Sequence, residues 1–219
     1  MPIRLLEQHV AELIAAGEVV ERPSSGVKEL VENAIDAGAE NITVEIERGG
    51  ISLIRIQDDG SGIAAEDIPL AFLRHATSKV QNEADLEAIG TLGFRGEALA
   101  SIASVAQVEL LTKTQQDEYA VVYRIAGGQE EGLEPAARPV GTTITVGNLF
   151  YNTPARMKFL KKDASEGGLV TEIVNRLALS HPEIAFRYLR AGKQVFATPG
   201  DKDLKSTAYD VMGADGERG

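Results

Sequence analysis

Residues 27–38 read Val27-Lys28-Glu29-Leu30-Val31-Glu32-Asn33-Ala34-Ile35-Asp36-Ala37-Gly38. On a helical wheel Val27, Leu30, Val31, Ala34 and Ile35 fall at core spacing, and Glu29, Asn33 and Asp36 fall at i, i+4 and i+7 on the opposite face. The pattern predicts a helix over 26–37, capped by Ser24 or Ser25 and stopped by Gly38. A carboxylate and an amide one turn apart can approach one bound group together. An amide oxygen is a hard ligand suited to Mg²⁺, and a glutamate can activate water. Taken alone, such a face is most often solvated polar surface, so its meaning depends on its neighbours.

Working outward, Asn41–Glu47 alternates as a half-buried strand does, and Gly49-Gly50 turns the chain into a second strand over 51–57. That hairpin closes on Asp58-Asp59-Gly60-Ser61-Gly62. Glycine lacks a Cβ, so a planar ring can lie against the backbone there. A carboxylate beside it can accept hydrogen bonds from an amino group such as that of adenine. Gly60-Ser61-Gly62-Ile63-Ala64-Ala65 also fits the dinucleotide pattern G-x-G-x-x-A after a strand. Context rejects that reading. Pro69 interrupts the helix it needs, no clear second parallel strand follows, and two adjacent carboxylates would repel a pyrophosphate.

A second glycine segment, Gly90-Thr91-Leu92-Gly93-Phe94-Arg95-Gly96-Glu97-Ala98-Leu99, runs into a helix expected from Gly96 to about Ala106. Free amides at a helix N-terminus, with the helix dipole, form an anion site. The Walker A pattern is absent. Thr77-Ser78-Lys79 supplies two hydroxyls and an ammonium between the two glycine segments. Elsewhere the pattern predicts a helix over Glu66–His75 and strands at 107–113, 119–126 and 142–147. It also predicts a helix near 166–180, a hairpin near 185–197 turning at Ala191-Gly192-Lys193, and a short helix over Leu204–Met212. Hairpins mixed with helices exclude a strictly alternating βαβ chain and indicate a mixed α/β domain.

With 219 residues, 43% of them hydrophobic, the chain can form one large α/β domain or one domain plus part of a second. The absence of cysteine excludes disulfides, thiolate metal sites and a Cys nucleophile. No apolar run reaches the ~18 residues of a membrane span, and the first residues lack the apolar centre of a signal peptide, so the sequence reads as cytoplasmic. A formal net charge of −11 argues against tight DNA binding by this region alone, because phosphate affinity comes from Lys and Arg. The densest basic cluster, Arg156, Lys158, Lys161 and Lys162, is the candidate wall of a DNA groove whose other wall lies on a further domain.

Taken in order, Glu29…Asn33, Asp58-x-Gly60-x-Gly62, Gly93–Leu99 and Gly141-Thr142-Thr143 resemble the GHKL superfamily of gyrases, heat-shock chaperones, histidine kinases and MutL proteins. Ile14–Pro23, Lys28–Gly38, Arg74–Lys79 and Phe150–Arg156 are similar to MutL proteins in particular. The resemblance is close over residues 1–165 and looser beyond. It implies an α/β two-layer Bergerat sandwich, with helices on one face of a mixed, largely antiparallel sheet. It implies an N-terminal arm over 1–20, the ATPase domain over 21–200, and a linker or the start of a truncated second domain over 201–219.

The resemblance further implies Mg²⁺-dependent hydrolysis of ATP to ADP and phosphate in DNA mismatch repair. Glu29 would be the general base and Asn33 the Mg²⁺ ligand. Asp58, helped by Thr143 through water, would read the adenine amino group, and Gly62 would shape the base pocket. Thr77, Ser78, Lys79 and Gly93, Phe94, Arg95, Gly96, Glu97, Ala98 and Leu99 would form the lid and phosphate cradle, ordered by ATP. Asp59 stands where many relatives have Asn, adding negative charge near the pocket mouth. Implied partners are ATP, DNA through the full-length protein, other mismatch-repair proteins and a second copy on ATP binding. Turnover is expected to be weak in this region alone, since relatives draw a further Lys from a second domain. A histidine kinase would need a phosphoacceptor helix, and His9, His75 and His181 lie in no such context. A nucleotide-binding scaffold without turnover is the other alternative.

Overall fold

The computed structural model describes residues 20–73 and 98–216. The predicted Thr77, Ser78, Lys79, Gly93, Phe94, Arg95, Gly96 and Glu97 therefore lie outside the described residues.

The first helix among the described residues, α1, runs Pro23–Asp36. It starts earlier than its apolar spacing suggested, and neither Ser24 nor Ser25 caps it. Arg22 is the N-cap and makes no side-chain cap, while Pro23 takes the first helical turn, where its missing N–H and fixed φ are harmless. At the other end Gly38 has φ +74 and the helix closes as expected: the Gly38 amide donates to Ile35 O at 3.0 Å and the Ala39 amide to Ala34 O at 3.2 Å. Val27, Leu30, Val31 and Ala34 face the core.

β1 (Asn41–Glu47) follows, then a tight 3₁₀ turn at Arg48–Gly50 and β2 (Leu53–Asp58). A second 3₁₀ turn, Ala65–Asp67, leads into a one-turn helix α2 (Ile68–Ala71), shorter than the helix expected over Glu66–His75. Beyond the glycine segment come α3 (Ala98–Val105), β3 (Gln107–Lys113), β4 (Ala120–Ala126), β5 (Gln129–Ala136) and β6 (Gly141–Gly147). Then follow α4 (Pro154–Met157), α5 (Asp163–Ser180), β7 (Ala185–Arg190), β8 (Lys193–Ala197) and α6 (Leu204–Gly216).

The strands form an eight-stranded sheet among the described residues, in the order β5-β4-β3-β6-β2-β1-β7-β8. Every neighbouring pair is antiparallel except β1 and β7. Burial alternates along the central strands, so one face is covered and the other is open. Ile42, Val44, Ile46, Ile54, Ile56, Val108, Leu110, Ile144 and Val146 point into the core under α1, α3 and α5. On the open face charges pair across strands, with Arg55 to Glu45 at 2.8 Å and Arg124 to both Glu109 and Glu134 at 2.9 Å. This is the two-layer α/β sandwich expected, with helices on one face of a largely antiparallel sheet. α6 does not leave this body, since Thr207 and Val211 are buried against it.

Candidate nucleotide-binding site

Three strand ends meet at one edge of the sheet: β2 ends at Asp58, β3 ends at Lys113 and β6 begins at Gly141. Register pairs Thr112 with Thr142 and Gln57 with Thr143. Alternation then places Asp58, Thr112 and Thr142 on the helix-covered face and Thr143 on the open one. Asp58 is 7% exposed. Its Oδ1 accepts the Gly60 amide at 2.9 Å and the Thr142 amide at 3.3 Å, and among the described residues its Oδ2 is left as a free acceptor. Burial pushes the Asp58 carboxyl above its ordinary value, and the Gly60 and Thr142 amides and the Arg138 guanidinium pull it back only in part.

The surrounding backbone is tied down. Arg138 donates to Leu111 O at 2.9 Å and to Asp58 O at 3.0 Å. The Thr112 hydroxyl accepts the Ile63 amide at 2.9 Å and lies 3.1 Å from the Thr142 hydroxyl. Gly62 has φ +74, and a Cβ there would sit 2.1 Å from Lys113 O. A Cβ at Gly141 would sit 2.3 Å from Asp58 O. Side chains are excluded at both positions because backbone packs against them, which seats the Gly62 turn on the end of β3 and the start of β6 on the end of β2, around the buried carboxylate.

α1 brings the second half of the site to this edge. The Ser61 amide donates to Ala37 O at 2.9 Å, joining the end of α1 to the Asp58–Gly62 turn. Asn33 and Glu29 are half-buried on successive turns above it. A helical rise of ~1.5 Å per residue puts Glu29 about 12 Å along α1 from Ala37. Lys28 Nζ lies 3.8 Å from Glu29 Oε1 but 3.1 Å from Glu32 Oε1, so Glu32 holds it more closely. Along α1 from the Asp58–Gly62 turn, Asn33 comes first and Glu29 one turn further on.

Residues 21–139 match the model of the histidine kinase-, DNA gyrase B- and HSP90-like ATPases. The chain belongs to that ATPase family. Within it, the chain is 51% identical over 208 residues to the DNA mismatch repair protein MutL of Streptococcus equi subsp. zooepidemicus (strain H70), covering 95% of this chain and 32% of that protein. The MutL of Lactococcus lactis subsp. cremoris (strain SK11) matches at the same identity and coverage, 51%, 95% and 32%. The chain therefore spans about a third of the length of the curated relatives it matches. Among solved structures, the Aquifex aeolicus MutL ATPase domain complexed with ADP is similar with TM-score 0.73 and 33% identity, covering 89% of this chain and 70% of that one. A crystal structure of the N-terminal domain of a DNA repair protein is similar with TM-score 0.76 and 29% identity, covering 95% of this chain and 62% of that one.

In this member of the ATPase family the bond from the Ser61 amide to Ala37 O joins the end of the helix that carries Glu29 and Asn33 to the turn that carries Asp58 and Gly62. Ala98 is buried at the start of α3 and Leu99 packs partly against the core. Thr143 is one residue out of phase. The threonine beside Asp58 is Thr142, and strand alternation across Gly141-Thr142-Thr143 carried the signal that would have found it. Thr112 and Arg138 complete the surroundings of Asp58 and carry no motif of their own, whereas Gly141 opens the Gly141-Thr142-Thr143 motif.

Asp59 turns to the start of β1. Its Oδ1 accepts the Glu40 amide at 2.9 Å and the Asn41 amide at 2.8 Å, and its Oδ2 accepts Asn41 Nδ2 at 2.7 Å. Slight burial raises its carboxyl, but the hydrogen bonds from Asn41 and Glu40 outweigh it and hold the group below its ordinary value. A depressed pKa gives stability that is present above the unfolded pKa and lost as pH falls through the folded one. Asp59→Ala should therefore destabilise the fold at neutral pH by about 1 kcal/mol, less than charged bonds in a dry site because water screens the group. In paired denaturant titrations the gap to the parent should close as pH drops below the ordinary carboxylate range. A gap that persists at acid pH would remove the charge from this account.

Proposed function

We propose that this chain is the ATP-binding and ATP-hydrolysing switch domain of a DNA mismatch-repair protein. The observation that carries the reading is the buried Asp58, whose Oδ2 is free among the described residues, on a turn joined to the end of a helix bearing Asn33 and Glu29. The free oxygen is the acceptor that the adenine amino group requires, and Thr142 stands where it can share a bridging water with the base. The names of the similar proteins, one of them a MutL ATPase domain in complex with ADP, support the same assignment.

Mg²⁺ fits the donors present. Asn33 offers a hard amide oxygen with no side-chain partner among the described residues, a donor that would suit Mg²⁺. When bound there it would neutralise charge on the phosphates. Glu29 would take a proton from the water that attacks the γ-phosphorus, as the bond to the departing ADP oxygen breaks. Thr77, Ser78, Lys79 and Gly93–Glu97 would close over the phosphates. Closure would order the N-terminal arm, residues 1–20, and favour pairing with a second copy in the cytoplasm, where the full-length protein meets DNA and other repair proteins.

The exposed basic cluster separates into two parts. Arg156 turns inward, donating to Val20 O at 3.3 Å and standing 6.0 Å over the Phe150 ring, whereas Lys158, Lys161 and Lys162 are exposed. The proposed DNA contact therefore rests on the three lysines.

Asp58→Asn tests the adenine site. Asn keeps an oxygen for the Gly60 and Thr142 amides but presents an NH₂ where Oδ2 was, so donor faces donor at adenine. ADP affinity should fall by about 10-fold or more, as a charge-assisted bond is lost, and GDP affinity should fall less. Because the Asp58 carboxyl is raised, the parent should begin to lose ADP affinity at a higher pH than an ordinary aspartate would, and the variant should not. Calorimetric titration with both nucleotides across pH reads all three effects. Equal losses for ADP and GDP would overturn the assignment of Asp58.

A further inference from the structure

The start of α1 has no side-chain cap, yet it carries Glu29 within its first two turns. Its placement comes from elsewhere. Glu166, in the first turn of α5, is 0% exposed. Its Oε1 accepts the Lys161 amide at 2.9 Å and lies 4.0 Å from Arg22 Nη1, and Arg22 is the N-cap of α1. Among the described residues Glu166 Oε2 is buried without a hydrogen-bond partner.

Two more contacts converge on the same junction. The 3₁₀ turn after β1 is wedged between the two helix starts: a Cβ at Gly49 would meet Asp163 O at 2.5 Å and Glu166 Cβ at 3.1 Å, and one at Gly50 would meet Pro23 Cβ at 2.8 Å. Arg156 donates to Val20 O at 3.3 Å, holding the residue two before Arg22. A buried, half-satisfied carboxylate is costly for a fold to keep. The Lys161 amide alone could be served by a neutral acceptor, so the charge points to Arg22.

We propose that Glu166 is a positioning residue for catalysis: by joining Arg22 to the head of α5 it sets where α1 begins, and so where Glu29 and Asn33 stand relative to Asp58. Asp58 lies at the end of β2 away from the Arg48–Gly50 turn, where pairing with β1 and β6 holds it in the sheet. Glu166 therefore governs turnover and leaves base recognition alone. The proposal rests on the reading of Glu29 and Asn33 as the hydrolytic pair.

The test uses the full-length protein, comparing the parent with Glu166→Ala, Glu166→Gln, Arg22→Ala and Arg22→Ala combined with Glu166→Ala. Glu166→Ala should lower kcat about 10- to 100-fold, the scale of a small misplacement of reacting groups, with ADP affinity at the parent value. Glu166→Gln keeps the acceptor for Lys161 but loses the charge facing Arg22, so its kcat should lie between. Arg22→Ala should add little to Glu166→Ala, because both remove one interaction. An unchanged kcat in folded Glu166→Ala would overturn the proposal, as would kcat, ADP affinity and Tm falling together. If Glu166→Ala does not fold, the kcat and ADP affinity of Glu166→Gln decide. If the parent itself hydrolyses no ATP, the ATPase reading fails on its own, and amide hydrogen exchange in Glu166→Gln still decides positioning: faster exchange confined to α1 upholds it, and an equal change in α1 and β2 overturns it.

Discussion

Glu29→Ala should bind ADP as the parent does and turn over ATP about 10²- to 10⁴-fold more slowly, the usual contribution of a general base. Glu29 lies on a helix whose buried side is held by Val27, Leu30 and Val31, so its own side chain contributes little to packing. It is 27% exposed, and its neighbour Lys28 is held more closely by Glu32. Alanine is the best helix former, so truncation leaves α1 in place. The measurement pairs steady-state phosphate release with calorimetric ADP binding on the full-length protein. Turnover at the parent rate would remove Glu29 from the base role. Loss of binding together with turnover would show that the helix had been disturbed. A parent that binds ADP but releases no phosphate would favour a nucleotide-binding scaffold.

What could be read in the sequence divides along a physical line. β1, β3 and β6 were legible because one face is buried and the other open, so burial shows as alternation. α1 was legible from its apolar stripe, but its start was not, because Pro23 begins it with no capping side chain to mark the place. β5 was illegible: Gln129–Ala136 is an edge strand exposed along most of its length, and it carries a proline that only an edge tolerates well. In the site, Glu29, Asn33, Asp58 and Gly62 stood out because each departs from what packing alone would choose. Thr112 and Arg138 did not, since their roles depend on register between strands distant in sequence, whereas Thr142 lay inside the quoted Gly141-Thr142-Thr143 stretch, where strand alternation separates it from Thr143. Asp59 was misplaced for a similar reason. Charge suggested the pocket mouth, but Oδ1 and Oδ2 are both spent on Glu40 and Asn41.

Replacing both Lys161 and Lys162 with Glu in the full-length protein should weaken binding to all DNA sequences alike and lower the salt dependence by roughly two units of slope, one for each lost phosphate contact. The two lysines are exposed just ahead of α5, near Lys158 and beside Phe159, which is 84% exposed. The chain's net charge of −11 repels phosphate overall, so a local cation cluster counts for more here than on a neutral surface. Phosphate contacts release counterions, and affinity then falls with salt in proportion to their number. Arg156 supplies the contrast. Its guanidinium is engaged by Val20 O and Phe150, so Arg156→Ala should lower Tm and leave the salt slope at the parent value. Titrating one labelled duplex and one unrelated duplex at several salt concentrations separates the two variants. A parent slope in the Lys161, Lys162 charge reversal would give these lysines to solvent and move the DNA contact to another surface of the protein.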